Sequence, residues 1–596
     1  MSTSIDIETM KVPRILLIAL LFFGCKGHHT DVQNSDSPSV RGWNILSDDT
    51  SKAFMAVDKA PEYGINHLQL SHQLIMDLKD VRNPEKLHKT RRIIDSAHKE
   101  GIGKVLVWDH ALYDRDYYPD RFKKDNGLIN LDDPGFWKWM KSDYRSMLDS
   151  LTNIEGIILT FIETGARIED QYSERWPSPE EKLANLVDSV ASVIIDERGL
   201  DLYIRTFMYH KKELDALLGS INKIQHPQVK VMTKEVPHDF FLTHPVSDFI
   251  SRFAKDVIIE FDLGHEYHGQ GVIASILPEV TVRRWKYYSR QNNVMGYVAR
   301  TDRYGTTQNI GRPTEVNLYA LKRISKDTSL TAESIVEEFI TKKYGKKTVD
   351  VLLPVFLQTD EIIRSVIYTM GLHMNSHSRF EFDYPSIYSR HCSGKWLDKP
   401  VIKLEHGIDK KFHYWKDIIE HLSPARYKKK TRYDGADTRL YNEAPWVIEN
   451  GWVTPKNKMN NKYLDDVITQ KDYGCDKARW ALQQVKKAKP LISDKSDYQE
   501  LVHLYERTYF TAKLYRAGAK AYFGFRTYLN DTSNARAQNI CREGLEKIKD
   551  ITREMQQYPH PGPQGQFSWK NDIPRAMQLY NHITRGWDVY DNRKLE

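Results

Sequence analysis

The feature that most constrains this chain is a series of eight short apolar runs between Trp43 and about residue 345. The runs read WNILS, NHLQLS, KVLVWD, GIILTFIE, LYIRTFMY, VKVMTKE, DVIIEFDL and VMGYVART. Most segments between them, such as PEKLHKTRRIIDSAHKEGI, place apolar residues three and four positions apart, as in a helix buried along one face. Near-continuous apolar strands that alternate with such helices are typical of a parallel sheet covered on both faces.

Eight strand and helix units of this kind predict a (β/α)8 barrel, which we place at residues 41–345. An open doubly wound sheet is the alternative, although no G-x-G-x-x-G follows the first strand as a dinucleotide-binding version would require. Residues 346–596 carry long helical patterns without strand signals, and they predict a mainly α-helical C-terminal domain. Within it, residues 375–470 are aromatic but aperiodic, so we expect long loops there.

The N-terminus has the composition of an export signal. Lys11 and Arg14 precede an apolar run that is too short to span a bilayer, and a Gly-Cys pair follows it. The position of Cys25 resembles a bacterial lipoprotein signal, whereas an ordinary signal peptide is the alternative. We expect a signal over 1–25 that ends at a lipidated Cys25, and a polar tether over 26–40. The chain would then be a periplasmic or outer-membrane lipoprotein, held to the membrane by its lipid anchor only.

Composition argues against several classes of function. The formal net charge is +7 over 596 residues, and no basic block is long enough to indicate nucleic-acid binding. This mild positive charge favours an acidic ligand. After the signal only Cys392, Cys475 and Cys541 remain, so we expect neither a disulfide framework nor a zinc site. A metal held by His265 and His268 is disfavoured too, and no cofactor is expected.

Polar side chains follow the predicted strands, where a barrel of this type places its reactive groups. The candidates at these strand ends are Trp108, Glu163, Arg205, Lys234, Glu235, Asp239, His265, Glu266, Tyr267 and Gln270. Acetal hydrolysis needs one carboxylic acid to protonate the departing oxygen and a carboxylate to assist the nucleophile on the opposite face of the sugar. Acidic residues on three strand ends fit that chemistry, although such residues also serve as helix caps and ion-pair partners.

Ordered pieces of this region resemble glycoside hydrolase family 67, the α-glucuronidases. The stretch INLDDPGFWKWMKSDYRSMLDSLTNIEGIILTFIETG resembles the segment that leads to the family's general acid, and YIRTFMYH resembles its next strand. KVMTKEVPHDF resembles a strand that ends in K-x-G-P-x-D-F, and DVIIEFDLGHEYHGQ resembles the Q-E-Y-x-G-Q strand end. NVMGYVARTDRYGTTQNIGRP resembles the last strand and its N-W-x-G-H-P loop. The shared order and spacing of these short motifs carry the resemblance.

The resemblance implies inverting hydrolysis of an α-linked glucuronic acid or a related uronic acid on an oligosaccharide or polysaccharide. By position, Glu163 would be the general acid, and Asp239 and Glu266 would form a paired general base. An inverting site needs roughly 6.5–9.5 Å between the acid and base carboxyls. Arg205 and Lys234 lie where the resemblance implies cationic contacts to the sugar's carboxylate, with an ion pair at the barrel mouth as the alternative for Arg205.

Further substrate contacts are expected around these residues. Tyr267 and Gln270 are expected to hydrogen-bond Glu266 or the sugar, and Trp108 offers an aromatic face of the kind that stacks on sugar rings. Arg312 stands in NIGRP, where the family has N-W-x-G-H-P, and its charge suits a more acidic glycan.

The chain also departs from the family. The family usually has an α/β domain before its barrel where this chain has only the tether, and the first strand lacks the E-R-G-Y-A-G stretch. The resemblance therefore supports the family's reaction more strongly than it supports a xylan-type substrate. Two other functions stay open. One is a non-catalytic glycan-binding lipoprotein, which would not need all three acids, and the other is a uronate-specific polysaccharide lyase that uses Arg205, Lys234 and Tyr267.

Overall fold

The computed structural model describes the barrel region and most of the C-terminal helices. The described residues are 37–208, 211–236, 239–242, 246–247, 249–304, 307–369, 372–373, 375, 377–382, 446–449, 452–455, 460–564 and 568–584. The predicted signal over 1–25 with Cys25, and the tether up to residue 36, lie outside these residues. Cys392 and His238 lie outside them as well.

Eight parallel strands close into a barrel in chain order, and the last strand pairs with the first. The strands are β1 Val40–Ile45, β2 His67–Leu70, β3 Lys104–His110, β4 Gly156–Thr160, β5 Asp201–Arg205, β6 Lys230–Lys234, β7 Val257–Phe261 and β8 Val294–Arg300. Each predicted apolar run overlaps one of them, so the (β/α)8 prediction is confirmed and the open sheet is excluded. The runs are apolar because the strands are buried on both faces: every residue of β4 and β7 is buried.

Helices follow most of the strands and cover the outside of the barrel. They are α1 Thr50–Tyr63, α2 Pro84–Lys99, α3 Pro134–Ser150, α4 Pro179–Ala191, α5 Lys211–Ile221, α6 Pro278–Tyr288 and α7 Glu315–Lys326. Asp49, Asn83, Asp133 and Ser178 cap the N-termini of the first four with their side chains. A proline at the first position of α2, α3 and α4 strengthens these starts because its ring presets the helical φ.

All but the first of the remaining helices lie in the C-terminal part, which confirms the mainly α-helical prediction there. These remaining helices are α8 Ala332–Tyr344, α9 Val349–Val366, α10 Asn461–Lys487, α11 Lys495–Asn530, α12 Ala535–Gln557 and α13 Asp572–Thr584. No helix in the described part of the chain is both long and apolar enough to cross a membrane.

Short strand pairs interrupt the helices of the C-terminal part. Just before the 375–470 span, β9 Tyr368–Thr369 pairs with β10 Leu372–His373. Part of the span itself differs from the expected loops, because β11 Trp446–Glu449 and β12 Trp452–Pro455 pair as an antiparallel hairpin and α10 begins at Asn461. Asn-Gly separates these two strands in the sequence, a dipeptide that favours the tightest hairpin turns.

Candidate active site

The C-terminal ends of β5 to β8 converge on a group of buried charged side chains, which we call the mouth cluster. Its members are Arg205, Lys234, Asp239, Glu260, Asp262, Glu266, Arg300 and Arg303, none more than 9% exposed. Burying an isolated charge is very unfavourable, so charges at such depth are expected to be paired and hydrogen-bonded. The cluster is built in this way from neighbouring strands.

Glu260 is the anchor of the cluster. It lies inside β7, and Arg205 from β5 donates to it from Nε at 2.7 Å and from Nη2 at 3.2 Å. Arg300, the last residue of β8, donates to it from Nε at 3.1 Å. Burial alone would raise the pKa of Glu260, but Arg205, Arg300 and Lys234 outweigh burial and hold the pKa below its usual value. Glu260 therefore stays ionised and fixes two guanidinium groups at the mouth.

Glu266 lies just beyond β7 and has three cationic or polar partners. Arg303 Nη2 donates to its Oε1 at 2.7 Å, Arg300 Nη1 donates to its Oε2 at 3.1 Å, and His377 Nε2 lies 3.1 Å from Oε1. Burial opposes ionisation, yet Arg303, His377 and Arg300 together hold the pKa of Glu266 well below its usual range. An ionised Glu266 suits a base or a nucleophile and does not suit a proton donor.

Asp239 forms a second buried carboxylate beside Glu266. Lys234 Nζ donates to Asp239 Oδ1 at 2.7 Å, and the hydroxyl of Tyr267 donates to Oδ2 at 2.5 Å. The imidazole of His377 stacks on the Tyr267 ring, with 5.6 Å between centroids and 14° between planes. Tyr267 and His377 thus connect the two acids that the resemblance pairs as a general base.

Aromatic rings lie beneath the cations of the mouth cluster. Lys234 Nζ is 3.2 Å from the ring centroid of Phe207, and the guanidinium of Arg205 is 4.6 Å from that of Trp108. Burial lowers the pKa of Lys234 to about 8, with Asp239 acting in the opposite direction. Trp108 itself is buried in the barrel interior and donates from its indole nitrogen to Gln69 at 3.1 Å.

Asp262 is a buried acid whose pKa is raised towards neutral pH. Its Oδ2 accepts a hydrogen bond from the backbone nitrogen of Glu266 at 2.7 Å, and its Oδ1 lies 4.0 Å from Arg300 Nη1. Burial raises the pKa of Asp262 to about 7, and the negative charge of Glu266 contributes to the rise while Arg300 opposes it. Asp262 and Glu266 are thus close enough for the charge of one to set the protonation of the other.

Glu163, the predicted general acid, is exposed at the end of β4. Its φ of +68° lies in the left-handed region, which is strained for a residue other than glycine. Burial raises the pKa of Tyr304, and the negative charges of Glu266 and Glu163 both add to that rise. Both acids therefore lie close enough to Tyr304 for their charges to affect the pKa of its hydroxyl. Burial lowers the pKa of His110, but the hydrogen bond and charge of Asp77 outweigh burial and raise it. The charge of Glu163 adds to that rise.

Two predicted substrate contacts, Gln270 and Arg312, form hydrogen bonds to the C-terminal part. The Oε1 atom of Gln270 accepts a hydrogen bond from Arg379 Nη2 at 3.1 Å. Arg312 donates from Nε to Glu500 Oε1 and from Nη2 to the carbonyl oxygen of Gly271, both at 2.9 Å. By contrast, the structure brings the other predicted polar contacts into the mouth cluster or against it.

Sequence reasoning missed several members of the site, namely Glu260, Asp262, Arg300, Arg303 and His377. A charge inside the apolar run DVIIEF was a usable signal for Glu260, and the strand-end rule applied to the eighth run would have found Arg300 and Arg303. His377 had no local signal, since it lies in an aperiodic segment of the C-terminal part.

No metal-binding group is evident in the part of the chain that the structure describes. There, no three His, Cys, Asp or Glu side chains are arranged to hold an ion. The rings of His265 and His268 are both buried, with 4.6 Å between centroids, and burial lowers the pKa of His265 to about 3.

The fold and the mouth cluster define a (β/α)8-barrel protein with a charged site at the C-terminal ends of its strands. No family model and no curated protein matches the sequence. Among solved structures, the chain is similar to a GH138 enzyme targeting pectin rhamnogalacturonan II. The identity is 12% over 92% of this chain and 84% of that one, with a TM-score of 0.57. This similarity shows a glycoside hydrolase-like fold over almost the whole chain.

A second similar structure is that of a family GH115 4-O-methyl-α-glucuronidase with specificity for decorated arabinogalactans. Its identity is 11% over 91% of this chain and 62% of that one, with a TM-score of 0.45.

Proposed function

We propose that this protein is a glycoside hydrolase that removes an α-linked glucuronic acid, or a related uronic acid, from polysaccharide fragments. The observation that carries the proposal is the mouth cluster. Two buried carboxylates, Asp239 and Glu266, lie among cations there, and a third acid, Glu163, is exposed at the end of β4. The similarity in fold to the GH138 enzyme supports the reaction class by analogy.

The charge of the mouth cluster supports an acidic substrate. The cluster holds four cations and four carboxylates, and burial raises the pKa of one of these acids, Asp262, to about 7. Protonation of Asp262 therefore leaves a surplus of positive charge. A sugar carboxylate would neutralise that surplus in a site largely shielded from water. Arg205 donates two hydrogen bonds to Glu260, which lies inside β7. Lys234 and Arg303 instead donate to the two proposed base residues, Asp239 and Glu266, so we assign the sugar carboxylate to this pair of cations.

The roles of the acids follow from their surroundings. Glu163 protonates the departing glycosidic oxygen while the bond from that oxygen to the anomeric carbon breaks. Water attacks the anomeric carbon from the opposite face, and the Asp239 and Glu266 pair takes its proton. Glu266 is kept ionised for this task by Arg303, His377 and Arg300. Tyr267 and Lys234 orient Asp239 through their hydrogen bonds.

Time-resolved proton NMR of glucuronic-acid-capped and galacturonic-acid-capped oligosaccharides tests the proposal. Hydrolysis releases a saturated reducing sugar, and the first anomer to appear distinguishes inversion from retention. An unsaturated sugar would instead identify a lyase. Saturable binding without any product would identify a glycan-binding protein.

We also propose that the protein is an exported lipoprotein anchored through Cys25. The support is the sequence alone: a basic start, a short apolar run and a Gly-Cys junction. Mass spectrometry of the membrane fraction should find a lipidated N-terminal Cys25. The variant Cys25→Ser should lose both the lipid and the membrane attachment, and a wild-type protein recovered without lipid would contradict the proposal.

A further inference from the structure

We propose that Arg312 and Arg507 form a second anion-binding site, between the barrel loops and α11, that binds one small oxyanion. The ligand chemistry is that of a sulfate, phosphate or carboxylate group, either free or carried on a glycan. The site is separate from the mouth cluster and does not depend on the proposed glycosidase activity.

The two guanidinium groups donate to consecutive backbone carbonyl groups. Arg507, on α11, donates from Nε to the carbonyl oxygen of Val272 at 2.7 Å and from Nη1 to that of His560 at 3.2 Å. Arg312, in the segment after β8, donates from Nη2 to the carbonyl oxygen of Gly271 at 2.9 Å. Because Gly271 and Val272 are consecutive, one short segment of backbone anchors both side chains.

Each guanidinium keeps one buried donor without an acceptor. Arg507 Nη2 and Arg312 Nη1 have no hydrogen-bond partner among the residues that the structure describes, and neither atom is accessible to solvent. A buried charged donor that lacks an acceptor is destabilising, so such a pair favours a ligand that brings acceptor oxygens. An oxyanion supplies several acceptor oxygens and a negative charge at once.

The charge balance around the two arginines also favours an anion. Glu500 is the carboxylate that pairs with Arg312, at 2.9 Å from Nε, and it lies two helical turns before Arg507 on α11. Glu506 is already held by Lys486 at 3.2 Å and by the hydroxyl of Tyr558. Two guanidinium groups therefore share one carboxylate.

The pKa values of Arg507 and Glu500 are consistent with an excess of positive charge at this site. Burial, and then repulsion from Arg312, lower the pKa of Arg507 to about 10. Burial opposes the ionisation of Glu500, but Arg312, Arg507 and His503 outweigh it and lower its pKa. A bound oxyanion would relieve the repulsion between the arginines.

Two histidines lie next to Arg507. The rings of His503 and His560 stack with 3.7 Å between centroids, and His560 is exposed. Gly562 passes directly over the guanidinium of Arg507, where a Cβ atom would lie 2.8 Å from Cζ. Its φ of +76° also favours glycine, so the chain can pass close to Arg507 at this point.

Isothermal titration calorimetry of the full chain with sodium sulfate tests the inference, with sodium chloride at equal ionic strength as the reference. We expect saturable sulfate binding by the wild type. Arg312→Gln should weaken it at least tenfold, while Glu500→Gln should strengthen it several-fold because a competing carboxylate is lost. Arg507→Met should abolish it, and should that variant not fold, the Arg312 and Glu500 variants decide the question.

Arg303→Gln is the matched control, because it removes a cation from the mouth cluster and should leave sulfate binding unchanged. A parallel titration with sodium glucuronate separates the two sources. Glucuronate binding that persists in Arg303→Gln and is lost in Arg312→Gln would assign the site to an acidic glycan, and sulfate binding with the same dependence would assign it to free or sulfate-borne oxyanions. Absence of saturable binding of either anion, or binding lost in Arg303→Gln and kept in Arg312→Gln, would overturn the inference.

Discussion

At the residue scale, the chemistry of this protein depends on which partner each buried charge has. Glu266 and Asp262 are four positions apart and hydrogen-bonded, yet their protonation differs. Three cationic or polar groups contact Glu266, whereas Asp262 has burial without an equivalent partner. The environment, and not the residue type, therefore assigns a charged role to one acid and a protonated role to the other.

The two proposed base residues can be tested by isosteric substitution. Glu266→Gln and Asp239→Asn should each lower turnover by about 10²–10⁴-fold, since general base catalysis typically contributes that much. Their thermal unfolding should remain cooperative. Glu62→Gln, which removes an exposed carboxylate paired with Lys59 and Lys342, is the control and should retain full activity. Near-normal rates in both Glu266 and Asp239 variants would refute the assignment.

His377 is expected to position Glu266 from the C-terminal part. A hydrogen bond to a charged group contributes about 1.5–3 kcal/mol, so His377→Ala should lower kcat by about tenfold or more. His377→Gln keeps a side-chain donor and should recover part of the loss with little change in KM. Equal kcat values for the two variants would show that the hydrogen bond to Glu266 is unimportant.

Asp262 should give the protein a characteristic pH dependence of stability. Its pKa rises from the usual 3.8 to about 7 on folding, so between these values the native state holds a proton that the unfolded state has released. The contribution of Asp262 to stability is therefore complete below about pH 4 and is lost as the pH rises towards 7. Asp262→Asn has no such loss.

Thermal unfolding of the wild type and Asp262→Asn from pH 4 to 8 measures this effect. The stability of the variant relative to the wild type should grow as the pH rises through that window and then level off. A difference that stays constant over the whole range would mean that Asp262 is ionised throughout.

At the element scale, the barrel closes through close contact between β8 and β1. A Cβ atom on Gly296 would lie 1.8 Å from the carbonyl oxygen of Val40, its partner in the register of the two strands. Gly42, two residues along β1, has the carbonyl oxygen of Tyr297 at 3.0 Å from the equivalent point. The glycines at the contact between β8 and β1 thus let these two strands approach closely enough to pair.

Replacing Gly296, where β8 contacts β1, should destabilise the barrel. Gly296→Ala should destabilise the protein by about 3 kcal/mol or more, because backbone on the facing strand would have to move. Gly103→Ala is the control: no atom lies within 4 Å of its Cβ position, and we expect a change of about 0.5 kcal/mol at most. Chemical denaturation measures both, and equal stabilities would contradict the steric argument.

At the scale of the whole molecule, the C-terminal part holds the barrel site together. Ser378 Oγ donates to the carbonyl oxygen of Glu266 at 2.9 Å and accepts from the backbone nitrogen of Gly269 at 2.8 Å. The hydroxyl of Tyr368 accepts from the backbone nitrogen of Leu242 and donates to the carbonyl oxygen of Tyr267. One continuous apolar cluster also runs from the barrel into the helices.

A barrel without the C-terminal part should therefore not form a native site. We expect a chain of residues 37–345 to be insoluble or to bind a hydrophobic dye without a cooperative thermal transition, since removing the helices exposes apolar surface. Circular dichroism and dye fluorescence measure this. A soluble fragment that unfolds cooperatively near the transition of the intact chain would show that the barrel folds independently.

Much of the fold was predictable because its signals are local. The apolar runs and most of the segments between them contain their own periodicity, and residues such as Asp49 and Ser178 mark helix starts within three or four positions. The strand-end rule likewise located Glu163, Asp239 and Glu266. The sequence by itself thus determined the eight-stranded barrel, the helical C-terminal part and the edge of the barrel where the acids lie.

Only the tertiary structure decided the partners of those acids. His377 meets Glu266, Arg300 meets Glu260 and Arg312 meets Glu500, and the last pair is separated by 188 positions. Such pairings depend on which loops the packed core brings together, and no local periodicity encodes them. The partners in turn set which carboxylate is ionised and where positive charge remains, because Coulomb interactions at these distances are strong in a buried site.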